Sequence, residues 1–572
     1  MKRVFGYIQK YRLRLEFQMV IKIIGTLMDL VIPYILSYII DEVVPTNDVQ
    51  KIVLLGLLMI GCAVIGLVGN VKANQMASMI AKRVTTEYRH DVFSKIQELS
   101  PAQVDEVTIP SIISRMTTDT YNVHHMVGMM QRIGIRAPIL FIGGIIVTLI
   151  LDAKLTLVLI AILPIIVILT YIISKVGIPL YTNVQVALDE LVRAVRENAT
   201  GVRVIKALSK ENYEKAKFRK INKDVIDLEL KSGYTMSILN PIINFLLNAG
   251  LVMVIVIGAI RVNGGDLLPG KILAFTTYFT IILNATLSIT RIFTMLSRSI
   301  ASAKRIEYIM SFSKDLEVSE EPKLETTDYI TFSNVSFSYH KQVDNLTDIN
   351  FSIKKGETLG IIGATGSGKS TLIQLLMRFY DVDKGAIYIN GRNIKSIPSD
   401  ELKKMFGVVF QNDCIFSDTI FENINFGRGY DIESVKEAAR ISSIHDFIET
   451  LPEGYNTELN ARGTNLSGGQ KLRVLIARSI VGNPDILILD DASSALDYKT
   501  DAAIRSKIKE TKTGTTQIIV AQRISSVLSS DHILMIEDGK IIASGKHEEL
   551  LKTSPEYLEI YKLQMGGVQD AK

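Results

Sequence analysis

Thr358-Leu359-Gly360-Ile361-Ile362-Gly363-Ala364-Thr365-Gly366-Ser367-Gly368-Lys369-Ser370 is the stretch on which the reading of this chain turns. Its first five residues are a short apolar run, which predicts a buried strand. The glycine-rich loop follows at once, and Thr371-Leu372-Ile373-Gln374-Leu375-Leu376 continues as a helix. Strand, loop and helix in that order are the setting of a phosphate-binding loop. Gly363, Gly366 and Gly368 let backbone N–H groups, with those of Ala364, Thr365 and Ser367, converge on phosphate oxygens. The helix that Thr371 continues adds its dipole. Lys369 is placed to reach the β- and γ-phosphates of a nucleotide, and Ser370 to hold Mg²⁺.

Downstream, Ile486-Leu487-Ile488-Leu489-Asp490 reads as a second buried strand, ending in a carboxylate suited to Mg²⁺ through water. Leu466-Ser467-Gly468-Gly469-Gln470 opens a further predicted helix. With that segment the chain resembles an ATP-binding cassette (ABC) exporter subunit along nearly its whole length. The resemblance implies ATP and Mg²⁺ as cofactors, and Leu466 to Gln470 as the signature motif. It implies that Gln411 is the Q-loop glutamine and that Ser494, Ala495, Leu496 and Asp497 are the D-loop. Tyr339 corresponds to the aromatic that stacks on adenine. Ser370, Gln411 and Asp490 would share Mg²⁺, partly through water. Ser100 to Gln103 and Gly201 to Ala207 resemble the two coupling segments. In the family two cassettes pack head to tail, and each ATP lies between one phosphate-binding loop and the other cassette's signature. This chain has one of each and therefore needs a partner.

The pattern is broken at three places. After Asp490 the family places a catalytic glutamate, and here Asp491 stands, one methylene shorter. A misplacement of about 1 Å can cost roughly a hundredfold in rate. Where the family has histidine, Val520-Ala521-Gln522-Arg523 supplies Gln522, which hydrogen-bonds but cannot titrate. Ala461 replaces a glutamate frequent in similar exporters. The signature is intact, however, and it serves the other nucleotide. The expectation is a heterodimer. This chain holds one ATP with little hydrolysis, and its signature completes an active site on a non-identical half-transporter. That partner should carry Glu and His at the positions of Asp491 and Gln522, with an altered signature.

The rest of the chain reads as membrane. It has 572 residues, 48% of them hydrophobic, and a mean hydropathy of +0.25. Six apolar runs near 17–40, 52–74, 132–151, 155–176, 241–261 and 271–292 are each long enough to cross a hydrocarbon core of about 30 Å. The expected fold is therefore a six-helix membrane domain over 1–311, a linker over 312–328, an α/β nucleotide-binding domain over 329–565 and a tail over 566–572. Lys2, Arg3, Lys10, Arg12 and Arg14 place the N-terminus on the cytoplasmic side, and basic second and fourth loops agree. The nucleotide-binding domain falls on the same side of a plasma membrane. No signal peptide is expected. Phe5, Ile8, Tyr11 and Leu15 share a helical face, read as lying on the bilayer. Periodic apolar residues through the long loops predict that the spans continue as helices into the cytoplasm. A net charge of +5 is too small to imply nucleic acid, and Cys62 and Cys414 lack metal spacing.

Polar residues within spans mark a possible path. Asp29 is the leading candidate, followed by Asn244 and Asn248, with Asn240 one turn earlier, and by Asn284 with Thr276, Thr277 and Thr280. Lys22 is read as snorkelling to the inner head groups, and Arg132 and Arg136 as boundary anchors. With no charged pocket and no ring of like charge visible, the expected cargo is amphipathic or apolar, as in multidrug efflux. The alternatives are an ATP-gated channel or regulatory subunit, and a slow homodimeric lipid or peptide exporter.

Overall fold

The structure, a computed structural model, describes residues 2–313, 316–339, 341, 343–411, 413–492 and 496–565. It divides into two compact units. The first comprises residues 1–97 and 109–311, and the second 98–108 and 312–572.

The first unit is helical. Its elements are α1 (Lys2–Gln9), α2 (Arg12–Tyr38) and α3 (Val49–Gln97). The short helix α4 (Pro101–Val107) belongs to the second unit, after which come α5 (Ile109–Ser114), α6 (Thr120–Leu151) and α7 (Ala153–Thr200). They are followed by α8 (Val202–Ala207), α9 (Glu211–Ser237), α10 (Leu239–Asn263) and α11 (Pro269–Ser311). Among the described residues, five helical stretches are long and apolar enough to cross a membrane: Arg12–Thr46, Val49–Gln97, Ile109–Leu151, Glu211–Asn263 and Pro269–Ser311. Helix α7, apolar over Ala153–Ile165, stands where the fourth of the six expected spans falls. At 1.5 Å per residue the 49 residues of α3 extend about 70 Å, more than twice a hydrocarbon core. Apolar residues such as Leu54, Leu57, Leu67, Ile142 and Ile150 remain exposed, as suits helices surrounded by lipid.

The N-terminal segment turns Ile8 and Tyr11 of the expected face onto α3 and leaves Phe5 outside. Val4 is 2% exposed, and Tyr7, Ile8 and Tyr11 pack with it against Tyr88 and Val92 of α3, whereas Phe5 is 62% exposed. Positions 4, 7, 8 and 11 form a complete helical stripe, and the tyrosine hydroxyls tie it down by donating to Asp91 and Glu87.

Between α5 and α6 the helix widens into a π-helical turn, Arg115–Asp119. Asp119 is 1% exposed and pairs with Arg305 of α11, whose Nε donates to Oδ2 at 2.9 Å. Removing one member of a fully buried pair costs about 3–5 kcal/mol. Arg305 is half-exposed, so its stranded charge stays partly hydrated. Asp119→Ala should therefore destabilise the unit by about 2 kcal/mol. Calorimetry in detergent would read this as a lowered unfolding temperature, and an unchanged one would contradict it.

The second unit is α/β. Its strands are β1 (Ile330–Phe337), β2 (Leu346–Ile353), β3 (Thr358–Ile362), β4 (Lys384–Ile389), β5 (Arg392–Asn393), β6 (Phe406–Val409), β7 (Ile486–Asp490), β8 (Thr516–Ala521), β9 (His532–Glu537) and β10 (Lys540–Gly545). An antiparallel sheet runs β2-β1-β4-β5, and a second sheet runs β10-β9-β3-β8-β7-β6. In the second, β9, β3, β8, β7 and β6 are mutually parallel. Every residue of β3, β7 and β8 is buried, which explains their continuous apolar runs. Residues 316–328 form no helix or strand. They are held to the sheets by Ser319 N donating to Lys395 O at 3.0 Å and Leu324 N to Gly391 O at 2.8 Å.

Candidate functional site

Parallel pairing brings the candidate residues together. Ile362 pairs with Ala521 across β3 and β8, and Asp490 with Val520 across β7 and β8. The segments leaving β3, β6, β7 and β8 thus emerge at one edge, where ligands of open parallel sheets bind. One cleft there is lined by Thr365, Gly366, Gly368, Lys369, Ser370, Thr371, Gln411, Asp490, Asp491 and Gln522. It also takes in Asn345, Val520 and Ala521. Asn345 gave no signal in the sequence. Its Oδ1 accepts from Tyr339 N at 3.1 Å, and a residue in a loop before a strand reveals nothing of the loop it will face.

The loop is built for close approach. A Cβ at Gly363 would lie 2.2 Å from Ile536 O, and Gly366 and Gly368 have φ of +87° and +103°, values that favour glycine. The helix α12 (Lys369–Leu376) begins with Gly368 as its N-cap. Lys369 Nζ donates to Gly363 O at 2.9 Å and Ala364 O at 2.7 Å. Ser367 is buried, and its Oγ has no partner among the described residues. Ser370 Oγ donates to Asp490 Oδ2 at 2.9 Å, so the hydroxyl and carboxylate that would share a hard cation are adjacent. Burial pushes the Asp490 carboxyl up, with Ser370 opposing and Asp491 adding to the rise, while burial pulls the Lys369 ammonium down.

Asp491 follows β7 in the left-handed region, with φ +53°. One oxygen of its carboxylate, Oδ2, accepts from both Gln411 Nε2 and Gln522 Nε2, each at 3.4 Å. Two of the three positions that break the family pattern, Asp491 and Gln522, therefore contact each other. Tyr339 is partly exposed beyond β1. Its ring packs edge-on against Phe337 and Tyr380, and its hydroxyl hydrogen-bonds Thr371 Oγ1 at 3.2 Å and Gln374.

Ser467 is the N-cap of the helix Gly468–Ile480 and forms a capping box with Gln470. Gln470 N donates to Ser467 Oγ at 3.2 Å, and Ser467 N to Gln470 Oε1 at 2.8 Å. Gly468 and Ser467 are exposed and Leu466 is partly buried, so the N-terminus of this helix is open to solvent. Ala461 is also exposed. Of the four D-loop positions, Ser494 and Ala495 lie outside the described residues. Leu496 packs into the core, and Asp497 caps the helix Tyr498–Thr511 through Thr500 N.

Residues 16–286 match the family model of the ABC transporter transmembrane region, and residues 346–494 the family model described as ABC transporter. The chain is 32% identical over 568 residues to the uncharacterized ABC transporter ATP-binding protein YfiB of Bacillus subtilis, covering 99% of both chains. This chain belongs to the ABC transporter family. An ATP-dependent lipid A-core flippase of Syntrophus aciditrophicus is 30% identical over 86% of this chain and 82% of the flippase. Among solved structures, a bacterial Atm1-family ABC exporter with ATP bound superposes with a TM-score of 0.83 at 25% identity, covering 97% of this chain and 98% of that one. This ABC transporter thus has the type-1 exporter fold, a helical membrane domain followed by a nucleotide-binding domain. It is a multi-pass membrane protein that binds ATP and drives export as a dimer.

The candidate path residues of this transporter are more connected than expected. Asp29 Oδ2 accepts from Arg136 Nη2 at 3.0 Å, so Arg136 pairs within the bundle rather than anchoring a boundary. Lys22 does not snorkel. It is 2% exposed and its Nζ donates to Asn74 Oδ1 at 3.0 Å. Gly25 and Gly66 let α2 and α3 approach closely beside it, which closes the exit a long side chain would need. Asn244, Asn248 and Asn284 are exposed on the single chain, and Asn248 Nδ2 donates to Asn244 O at 2.9 Å. The side chain of Asn240 lies outside the described residues. Thr276, Thr277 and Thr280 donate to carbonyls of their own helix.

Proposed function

We propose that this chain is the subunit of a heterodimeric exporter whose own site holds ATP and hydrolyses it poorly. Its signature segment completes the active site of a non-identical partner. The observation that carries this reading is Asp491, whose Oδ2 lies 3.4 Å from the amides of Gln411 and Gln522. The oxygen needed to orient an attacking water is engaged by two amides, on a side chain about one methylene too short. Gln522 offers no titratable group at that position. Gly363 to Thr371 would cradle the phosphates, with Tyr339 beside the base. Ser370 and Asp490, with Gln411 through water, would hold Mg²⁺, which would neutralise phosphate charge when bound. Leu466 to Gln470 would present a helix N-terminus to the partner's nucleotide.

The cargo is proposed to be amphipathic or hydrophobic compounds, moved out across the plasma membrane. The basic N-terminal segment and loops support a cytoplasmic cassette. Substituting the partner's glutamate by glutamine should abolish nearly all ATPase of the purified pair, and full retention would refute the reading. In that silenced background, Asp491→Glu with Gln522→His should raise residual ATP turnover at least about tenfold, part of the roughly hundredfold that a 1 Å misplacement can cost. The likeness to a flippase favours a second reading, a slow homodimeric lipid exporter. Substantial ATPase from this chain purified alone would select it.

A further inference from the structure

Four ionisable side chains meet inside the bundle of the first unit. Lys22 and Asp29 are seven residues apart on α2, and Arg132 and Arg136 four apart on α6, so each pair shares a helical face. Lys22 lies within electrostatic reach of the other three. The single carboxylate, Asp29, is bonded to Arg136. Lys22 has a neutral amide as its partner, and Arg132 Nε donates to Gly128 O of its own helix at 3.2 Å. Among the described residues neither has an ion-pair partner. Three cations therefore share one anion. Beside them Gln18 and Gln131, 0% and 5% exposed, each keep an Oε1 without a partner among the described residues.

Depth gives the arrangement meaning. At 1.5 Å per residue Arg136 lies about 22 Å, and Arg132 about 28 Å, from the Leu151 end of α6. A hydrocarbon core is about 30 Å thick. The cations thus line the half of the membrane remote from Leu151, from its boundary inward. An ionised group in the core is costly even after snorkelling and hydration, so an excess of positive charge there calls for an anion. Arg136 keeps 47% of its side chain exposed, and Asp29 occupies one of its five N–H donors. A guanidinium fork matches phosphate or carboxylate in two-point contact.

We infer that Arg132 and Arg136, with the buried Lys22 adding its charge from behind them, form a head-group subsite for an amphiphile bearing a phosphate or carboxylate, entering from the leaflet beside Arg132. The inference rests on the reading of the chain as an amphiphile exporter and narrows its substrate class. It departs from the sequence reading of a cavity with no charged pocket. The periodicity was present in the sequence, but no single span shows that two helices turn their cations toward one another.

The test uses the assembled transporter in phosphatidylcholine liposomes, with dodecyl phosphate, dodecyltrimethylammonium and dodecyl maltoside as probes of equal tail. Dodecyl phosphate should half-stimulate ATPase at about a tenfold lower concentration than the ammonium compound, a difference of about 1.4 kcal/mol. Arg132→Gln should bring the two within about twofold of each other, and Arg132→Lys should restore the difference. Equal half-stimulation in the unaltered protein, or a preference untouched by Arg132→Gln, overturns the subsite. Adding one-fifth phosphatidylglycerol distinguishes the sources of the anion. A raised requirement for dodecyl phosphate assigns the subsite to lipid head groups, and an unchanged one assigns it to a separate exported amphiphile. Stimulation by the maltoside alone overturns the subsite and leaves the export reading standing. No stimulation by any probe overturns both.

Discussion

Gly469→Asp in this chain is expected to lower the ATPase rate of the assembled transporter at least about a hundredfold, while Lys369→Ala in the same chain lowers it no more than about threefold. The first number follows from where the new charge goes. Gly469 is in the first turn of the helix Gly468–Ile480, whose N-cap is already secured by the Ser467–Gln470 capping box. A carboxylate in a first turn favours the helix, so the variant should fold. It would, however, face the phosphates of the partner's nucleotide. Two like charges about 4 Å apart near a protein surface repel by roughly 4 kcal/mol, more than enough for a hundredfold loss. The second number follows from Asp491 and Gln522. If this chain's own site contributes little turnover, weakening its grip on phosphate removes little. ATPase assays on the two purified variants check the asymmetry. Equal losses would mean equivalent sites and would favour the homodimer instead.

The second large effect concerns stability. Gly407 lies in β6, where a Cβ would come 2.1 Å from Ser479 O and 2.7 Å from Pro484 Cγ. Ser479 belongs to the helix Gly468–Ile480, so the clash is with backbone and no rotamer change relieves it. Strand and helix must separate, opening the core that both share. Gly407→Ala should cost about 3 kcal/mol, at the upper end for overpacking. For a domain of this size that is roughly a 10 °C fall in unfolding temperature. The sequence contains no tryptophan, so calorimetry is the natural readout. Gly233→Ala is the control. No atom lies within 4 Å of its would-be Cβ in α9, and the change should be neutral or stabilising by about 0.5–1 kcal/mol. An unfolding temperature for Gly407→Ala equal to that of the control would refute the steric account.

Much of this molecule is written locally. The strand–loop–helix around Gly363 to Ser370 carries its own phosphate-binding geometry, because glycines, a lysine and a helix start within one short stretch suffice. The long apolar runs likewise announce their helices, since a bilayer leaves few other ways to satisfy a backbone. Asp491 and Gln522 were visible as departures from a pattern. That they meet, both touching through the oxygen Oδ2 of Asp491, depends on β7 and β8 being neighbours in a parallel sheet. The same holds for Asn345, which reaches the cleft from a loop with no mark of its own.

In the membrane half, the chain by itself determined which segments are helical and which residues within them are charged. Tertiary packing alone decided the partners. Lys22 has the length to reach a head group, but the approach of α2 to α3 turned it inward onto Asn74. Arg136 has the position of an anchor, but it faces Asp29 across a helix interface. The N-terminal helix was amphipathic in sequence, yet Val4, Tyr7 and Tyr11 rather than Phe5 became its buried face, because α3 offered Tyr88, Asp91 and Glu87 to meet them. Helical period is a property of one segment, whereas the neutralisation of a buried charge requires a second segment at a set depth and rotation.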